Sequence, residues 1–156
     1  MAIRPERERG KLDHPMIERW RIVVDTNVVV AALLHPGRAP DRALSVIDTG
    51  LARVIVDGRI VEEYREVLGR PKFRSVAVSA REALLDRLLA GAEHVVCADY
   101  PGPMVDPDDR AFVEVCLSGR ADVLLTGNGR HFPTTLGFAV LAPTEWLHAA
   151  HAAHAP

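Results

Sequence analysis

The chain alternates short apolar runs with longer amphipathic stretches. The runs are apolar nearly throughout, which is typical of strands buried on both faces of a parallel sheet. The longer stretches repeat apolar residues at helical spacing. This alternation predicts βαβ units and an α/β fold whose mainly parallel sheet is covered on both faces. The predicted strands are 21–25, 52–57, 94–98, 121–127 and 137–143, and the predicted helices are 26–34, 40–50, 58–70, 79–93, 106–119 and 143–150.

One domain is predicted, over residues 20–147. A chain of 156 residues with 48% hydrophobic and 26% charged residues is long enough to bury one core. Residues 1–19 mix charges and prolines with little apolar periodicity, so we expect a flexible or loosely ordered arm. The Ala- and His-rich segment 148–156 is expected to be a disordered tail.

Composition and charge favour a cytoplasmic protein with no membrane partner. Residues 1–20 carry charges where a secretory signal would need an apolar stretch. The longest apolar run, 21–34, contains Asp25 and Asn27 and is too short and too polar to span a membrane. The net charge of −2 gives no overall attraction to nucleic acid, although basic patches can exist within a neutral total.

Asp25 stands at the end of the first predicted strand, where a carboxylate is unexpected. Burying an unpaired carboxylate costs on the order of several kcal/mol. In parallel sheets, functional groups collect beyond the carboxyl ends of the strands. Thr126, Gly127 and Asn128 close another predicted strand at that same edge. Two strands therefore bring polar residues to one edge of the sheet.

Helical phase selects one glutamate of the helix 58–70 for this edge. The apolar residues of the helix form a single stripe, and Glu62 and Glu66 lie nearly opposite it, where they should face water. Glu63 lies about 100° from the centre of the stripe, at the border of the buried face. It can tilt into a cleft at the sheet edge, and a solvated rim position is the alternative.

Asp106, Asp108 and Asp109 crowd the start of the helix 106–119. Acids favour helix N-termini and cap their free N–H groups, but one cap needs only one carboxylate. The others repel one another unless a cation lies among them. A hard divalent cation such as Mg²⁺ takes oxygen ligands and substrate phosphate, and it can activate a water to attack phosphorus. Periodicity does not choose between Asp108 and Asp109 as the inward-facing acid.

These motifs together resemble the PIN-domain family, and in particular its VapC-like toxin branch from bacterial toxin–antitoxin systems. The resemblance runs from Arg21 to about Pro143 and rests on "VVDTNVVVAALL", "IVEEYREVLGRPKF", "DPDDRAFVEVC" and "TGNGRHFP" in this order. It implies a three-layer α/β/α sandwich. It also implies that the metal-binding, catalytic acids are Asp25, Glu63 and Asp109.

The resemblance further implies supporting roles for polar neighbours of these acids. Asn27 would organise the site, and Asp106 or Asp108 would support the metal-binding acids. Thr126 and Asn128 would orient water or phosphate.

Asn128 departs from the family's pattern, because many relatives carry Asp at this position. An amide can accept a hydrogen bond from a metal-bound water but carries no charge, so we expect one Mg²⁺ or Mn²⁺ per site. Arg130 and His131 follow and could contact the RNA backbone. A structural role for His131, packed under Phe132, is the alternative.

The function implied by the resemblance is metal-dependent endonucleolytic cleavage of RNA, with an antitoxin protein as partner and a homodimer as the assembly. An alternative is a PIN-like module with weak or no catalysis that binds RNA or a partner, and Asn128 keeps it open. A phosphoryl-accepting receiver domain is less favoured, because that chemistry needs a lysine near the acidic pocket. The lysines are Lys11 and Lys72, and neither follows a predicted strand end.

Overall fold

The apolar runs form a five-stranded parallel sheet, as the sequence predicted. The computed structural model describes residues 19–154, so the expected N-terminal arm lies, except for residue 19, outside the described residues. Across the sheet the strand order is β3-β2-β1-β4-β5, and every neighbouring pair is parallel. The strands are β1 (Trp20–Val24), β2 (Ala52–Val56), β3 (Glu93–His94), β4 (Val123–Leu125) and β5 (Ala139–Leu141).

Helices cover the sheet and complete a three-layer α/β/α fold, which confirms the predicted fold class. Helix α5 packs on β1, β2 and β4, whereas α2 packs against both α1 and α6. Among the described residues, no helix is both long enough and apolar enough to cross a membrane. The helices are α1 (Thr26–Leu34), α2 (Ala39–Val46), α3 (Gly58–Leu68), α4 (Val78–Leu89), α5 (Arg110–Ser118) and α6 (Pro143–His154).

The central strands are buried on both faces, which explains why β1 is apolar without alternation. Ile22, Val23 and Val24 are fully buried, and so are the residues of β4 beside them. Trp146 of α6 closes one side of this core, because its ring packs edge-on against Trp20 with ring centroids 5.6 Å apart.

The strand predicted at 94–98 is much shorter than expected. Only Glu93–His94 pairs with β2, and one further hydrogen bond runs from the Val95 N–H to the Val56 carbonyl at 2.9 Å. The next residue, Val96, is almost fully exposed. This strand lies at the edge of the sheet, and no other strand of residues 19–154 pairs with its outer side.

The C-terminal helix is longer than predicted. The segment 148–156 was expected to be a disordered tail, yet α6 continues to His154, and residues 155–156 lie outside the described residues. Alanine has the highest intrinsic helix propensity, and Ala150 is buried. Helix propensity and packing against α2 together explain the extension.

Candidate active site

The candidate site lies where the strand order reverses. The chain runs from β1 outward through β2 and β3, and it then returns to place β4 on the other side of β1. In open parallel sheets, such a reversal leaves a crevice beyond the carboxyl ends of the two neighbouring strands. Asp25 follows β1 and Thr126 follows β4, and the Asp25 N–H donates to the Leu125 carbonyl at 2.9 Å. The two residues therefore stand side by side at this crevice.

Asp25 is a buried carboxylate with a defined partner. It is 6% exposed, and its Oδ2 accepts a hydrogen bond from the Thr126 hydroxyl at 2.8 Å. It occupies the N-cap position of α1 but makes no side-chain capping bond, so capping does not explain it. Burial raises the pKa of Asp25 from 3.8 to about 6; the Thr126 hydrogen bond opposes this shift, and the charge of Asp109 adds to it.

Thr126 holds Asp25 in place and cannot donate a hydrogen bond to a phosphate. Its hydroxyl is buried, gives its only proton to Asp25 and accepts from the Asn128 N–H at 3.0 Å. The expectation that Thr126 orients water or phosphate therefore changes to one of positioning. Asn27 ties the same turn to α1, because its Oδ1 accepts from the Gly127 N–H at 3.1 Å. Asn128 itself is exposed at the rim.

The exposure of the three glutamates of helix α3 agrees with the helical phase. Glu63 is half-buried, whereas Glu62 and Glu66 are exposed. The Thr26 hydroxyl donates to Glu63 Oε2, which links α3 to the start of α1. The buried Tyr64 hydroxyl donates to the Val24 carbonyl and anchors α3 at the end of β1.

The three carboxylates of the acidic segment before α5 have different environments. Asp106 caps the 3₁₀ turn Pro107–Asp109, since its Oδ1 accepts from the Asp108 N–H at 2.9 Å. Asp108 is exposed, and Asp109 is half-buried. Burial raises the pKa of Asp109, the charge of Asp106 raises it further, and His131 lowers it.

His131 faces the acids rather than packing beneath Phe132. Its Nδ1 lies 3.5 Å from Asp109 Oδ2, and its side chain is 42% exposed. One ligand atom from each of Asp106, Asp109 and His131 lies within 4.8 Å of the other two. The sequence predicts His131 only as an RNA contact or as a residue packed under Phe132. The available signal was its place shortly after β4. Arg130, beside it, is exposed.

Together, the acids that the sequence predicted come from three separate elements to one edge of the sheet. Asp25 follows β1, Glu63 belongs to α3, and Asp109 precedes α5. Burial is the main cause of the raised pKa of Asp25. The charges of Asp109 and Glu63 raise this pKa further, so the three acids interact electrostatically. A divalent cation fits these groups: the charges of the three acids interact, and the donor atoms of Asp106, Asp109 and His131 lie within 4.8 Å of one another.

Comparison with known proteins decides the family. The family model described as "PIN domain" matches residues 21–130, which is more than half of the chain. The chain belongs to the PIN-domain family. No curated protein matches it. Among solved structures it is similar to a chain in the crystal structure of VapBC2 from Rickettsia felis bound to a DNA fragment from their promoter. The TM-score is 0.55 at 14% identity, over 78% of this chain and 98% of that one, which shows a shared fold.

One further network of this PIN domain was not found from the sequence. Glu114 of α5 is buried, and its two carboxylate oxygens accept from Arg59 Nη1 and from the Tyr100 N–H, each at 2.7 Å. The hydrogen bond from Arg59 holds the pKa of Glu114 below its usual value. In the sequence, Glu114 stands between valines, and this apolar setting was the one signal that it is buried.

Proposed function

We propose that this PIN domain is a metal-dependent endoribonuclease that hydrolyses RNA phosphodiesters and holds one Mg²⁺ or Mn²⁺ with Asp25, Glu63 and Asp109. The observation that carries the proposal is the convergence of these acids from separate elements on the crevice beside β1 and β4. PIN domains are generally nucleases, and this supports the hydrolytic reaction.

The surrounding residues support this role by fixing the acids before any ligand arrives. Thr126 holds one oxygen of Asp25, and Thr26 holds one oxygen of Glu63, so both carboxylates are held in position. A divalent cation bound there would activate a water and neutralise charge developing on the phosphate. Such preorganised groups do not have to reorient when the substrate binds.

The proposed RNA contacts lie on the rim of the crevice. Arg130 is exposed there, and its guanidinium can pair with a phosphate. Because the overall charge is −2, attraction to RNA has to come from local groups of this kind. Binding should therefore weaken as the salt concentration rises.

We also propose that the protein is a toxin with an antitoxin partner and that it forms a homodimer. The shared fold with a chain of the VapBC2 complex supports the partner. The homodimer rests on the resemblance to the toxin branch. Light scattering on the purified chain would test the dimer, and the protein encoded by a neighbouring reading frame would test the antitoxin. A cytoplasmic location remains a prediction.

The nuclease proposal is tested by cleavage of a panel of single-stranded and structured RNAs with Mg²⁺, with Mn²⁺ and with EDTA. We expect cleavage with either metal, none with EDTA, and none by Asp25→Asn. Glu66→Gln is the matched control, since Glu66 is exposed, and it should cleave like wild type. RNA binding without cleavage at any metal concentration would overturn the proposal in favour of the binding module.

A further inference from the structure

We infer that His131, together with Asp106 and Asp109, forms a mixed nitrogen and oxygen rim of the metal site and makes the site select Mn²⁺ over Mg²⁺. The inference rests on the proposed function and deepens it, because it concerns which ion the site takes. The sequence predicts His131 either as an RNA contact or as a residue packed under Phe132, and neither role concerns the choice of metal.

The imidazole is held at the rim by the local backbone. His131 ends the 3₁₀ turn Gly129–His131, and its N–H donates to the Asn128 carbonyl at 2.9 Å. The next side chain, Phe132, is buried and anchors the turn. From this turn, the imidazole Nδ1 lies 3.5 Å from Asp109 Oδ2.

The free ligand atoms around this position suit a cation. The Asp108 N–H occupies Oδ1 of Asp106, which leaves the other oxygen of that carboxylate available. The donor atoms of Asp106, Asp109 and His131 all lie within 4.8 Å of one another. Behind this rim lies the buried Asp25, which interacts electrostatically with Asp109. The rim therefore lies near enough to Asp25 for their charges to interact.

Fold stability alone gives little reason for this arrangement. The side chain of His131 is 42% exposed, and an ion pair at such a position contributes roughly 0–1 kcal/mol. The same cluster keeps two aspartates close together, and their charges repel each other. A cation among the three groups would remove that repulsion.

Nitrogen ligation determines the choice of ion. Mg²⁺ demands oxygen ligands in near-ideal octahedral geometry and gives up its waters reluctantly. First-row transition ions accept imidazole, and their affinity for a nitrogen-containing site rises along the series that begins with Mn²⁺. A site of carboxylates alone would take either ion, whereas His131 adds a ligand that favours Mn²⁺.

The experiment measures metal binding to the metal-free full chain by calorimetry, with Mn²⁺ and Mg²⁺ separately and no RNA present. His131→Gln should weaken Mn²⁺ binding by about tenfold or more and Mg²⁺ binding by less than about twofold. His148→Gln is the control, because His148 is exposed on α6 and lies outside the rim; both affinities should be unchanged. With Co²⁺ as probe, the visible spectrum should shift in His131→Gln alone.

Circular dichroism confirms folding of each variant, and RNA cleavage is measured on the same samples. Equal weakening for both ions, or none, with wild type still binding metal and cleaving RNA, would overturn this inference and leave the proposed function standing. A wild-type chain that binds neither ion and cleaves no RNA would overturn both. A drop in Mn²⁺ stoichiometry for His148→Gln would place the bound ion on α6 and also contradict the inference.

Discussion

Arg59 and Glu114 form an ion pair that joins α3 to α5, with 2.7 Å between Arg59 Nη1 and Glu114 Oε1. The side chain of Glu114 is 4% exposed, whereas that of Arg59 is 51% exposed. Arg59 lies one helical turn before Glu63, and Glu114 lies shortly after Asp109. The pair therefore fixes the distance between the two helices that bring these acids to the site.

Removing this guanidinium should loosen the site as well as the fold. Arg59→Ala leaves one oxygen of the buried Glu114 unsatisfied, and we expect the free energy of unfolding to fall by about 1–3 kcal/mol. Arg70→Ala is the control, because its pair with Glu66 is exposed and should contribute less than about 1 kcal/mol. Urea unfolding measures both variants. Equal losses would show that the Arg59 pair behaves as an ordinary surface pair.

Asp25→Asn should stabilise the metal-free protein above neutral pH. Burial raises the pKa of Asp25 in the folded state from 3.8 to about 6. The folded state therefore binds this proton more tightly than the unfolded state, and the resulting stabilisation is complete at pH values below 3.8. That contribution is lost as the pH rises through about 6. The shift corresponds to at most ~3 kcal/mol.

The measurement compares urea unfolding of the two proteins in chelator. We expect the variant to be clearly more stable at about pH 8, where wild-type Asp25 is charged in both states, and nearly equal at about pH 4. Asp108→Asn, at an exposed position, should show no such pH-dependent gain. A variant that is destabilised at both pH values would indicate that the Asp25 carboxylate has a structural role.

Glu63→Gln should remove most of the RNA cleavage. The substitution removes one negative charge from the proposed metal site, but the amide oxygen can still accept the hydrogen bond from the Thr26 hydroxyl. A loss of about 10- to 100-fold in the initial rate is expected. Glu62→Gln and Glu66→Gln, both at exposed positions of α3, should stay near wild type. Similar losses in all three variants would show a general electrostatic effect.

Thr126→Val tests the positioning of Asp25. Valine has nearly the same shape but cannot donate to Asp25, so the pKa of Asp25 should rise further. Metal binding should then weaken, and its pH dependence should move to higher pH, since a proton competes with the ion. Thr126→Ser keeps the hydroxyl and should restore the wild-type profile. If valine and serine gave the same profile, the hydroxyl would have no part in holding Asp25.

Asn128→Asp should tighten metal binding modestly. The change adds a carboxylate at the rim, so less Mg²⁺ or Mn²⁺ should give half-maximal cleavage. Repulsion from the existing acids limits the gain, because it favours protonation of the metal-free site. A titration of cleavage rate against metal concentration for both forms provides the test. An unchanged or higher metal requirement would indicate that Asn128 contacts RNA or backbone instead.

Features that are determined by neighbouring residues in the sequence could be predicted, whereas features that depend on distant residues could not. Glu63 could be selected over Glu62 and Glu66 because helical phase is a local property, and the exposure of the three residues agrees. Phase could not separate Asp108 from Asp109, because these two lie in a 3₁₀ turn that precedes the α-helix. The 3.6-residue period does not apply there.

Features that depend on distant parts of the chain were missed or misjudged. The role of Thr126 changed because its hydroxyl meets Asp25, which is 101 residues away in the sequence. Glu114 meets Arg59 across 55 residues. Local sequence patterns carry no information on such pairs. The length of α6 was misjudged for another reason. The low complexity of the segment suggested disorder, but its alanines have a high propensity for helix.

The position of β4 beside β1 also has a consequence during synthesis. A nascent chain that has emerged only as far as α5 already contains Asp25, Glu63 and Asp109, yet β1 still lacks a neighbour on one side. Contacts between such distant segments form late in folding. The ribosome must therefore release the chain beyond Thr126 before Asp25 is held in place. Under the proposed function, the catalytic site would therefore remain incomplete for most of the synthesis of the chain.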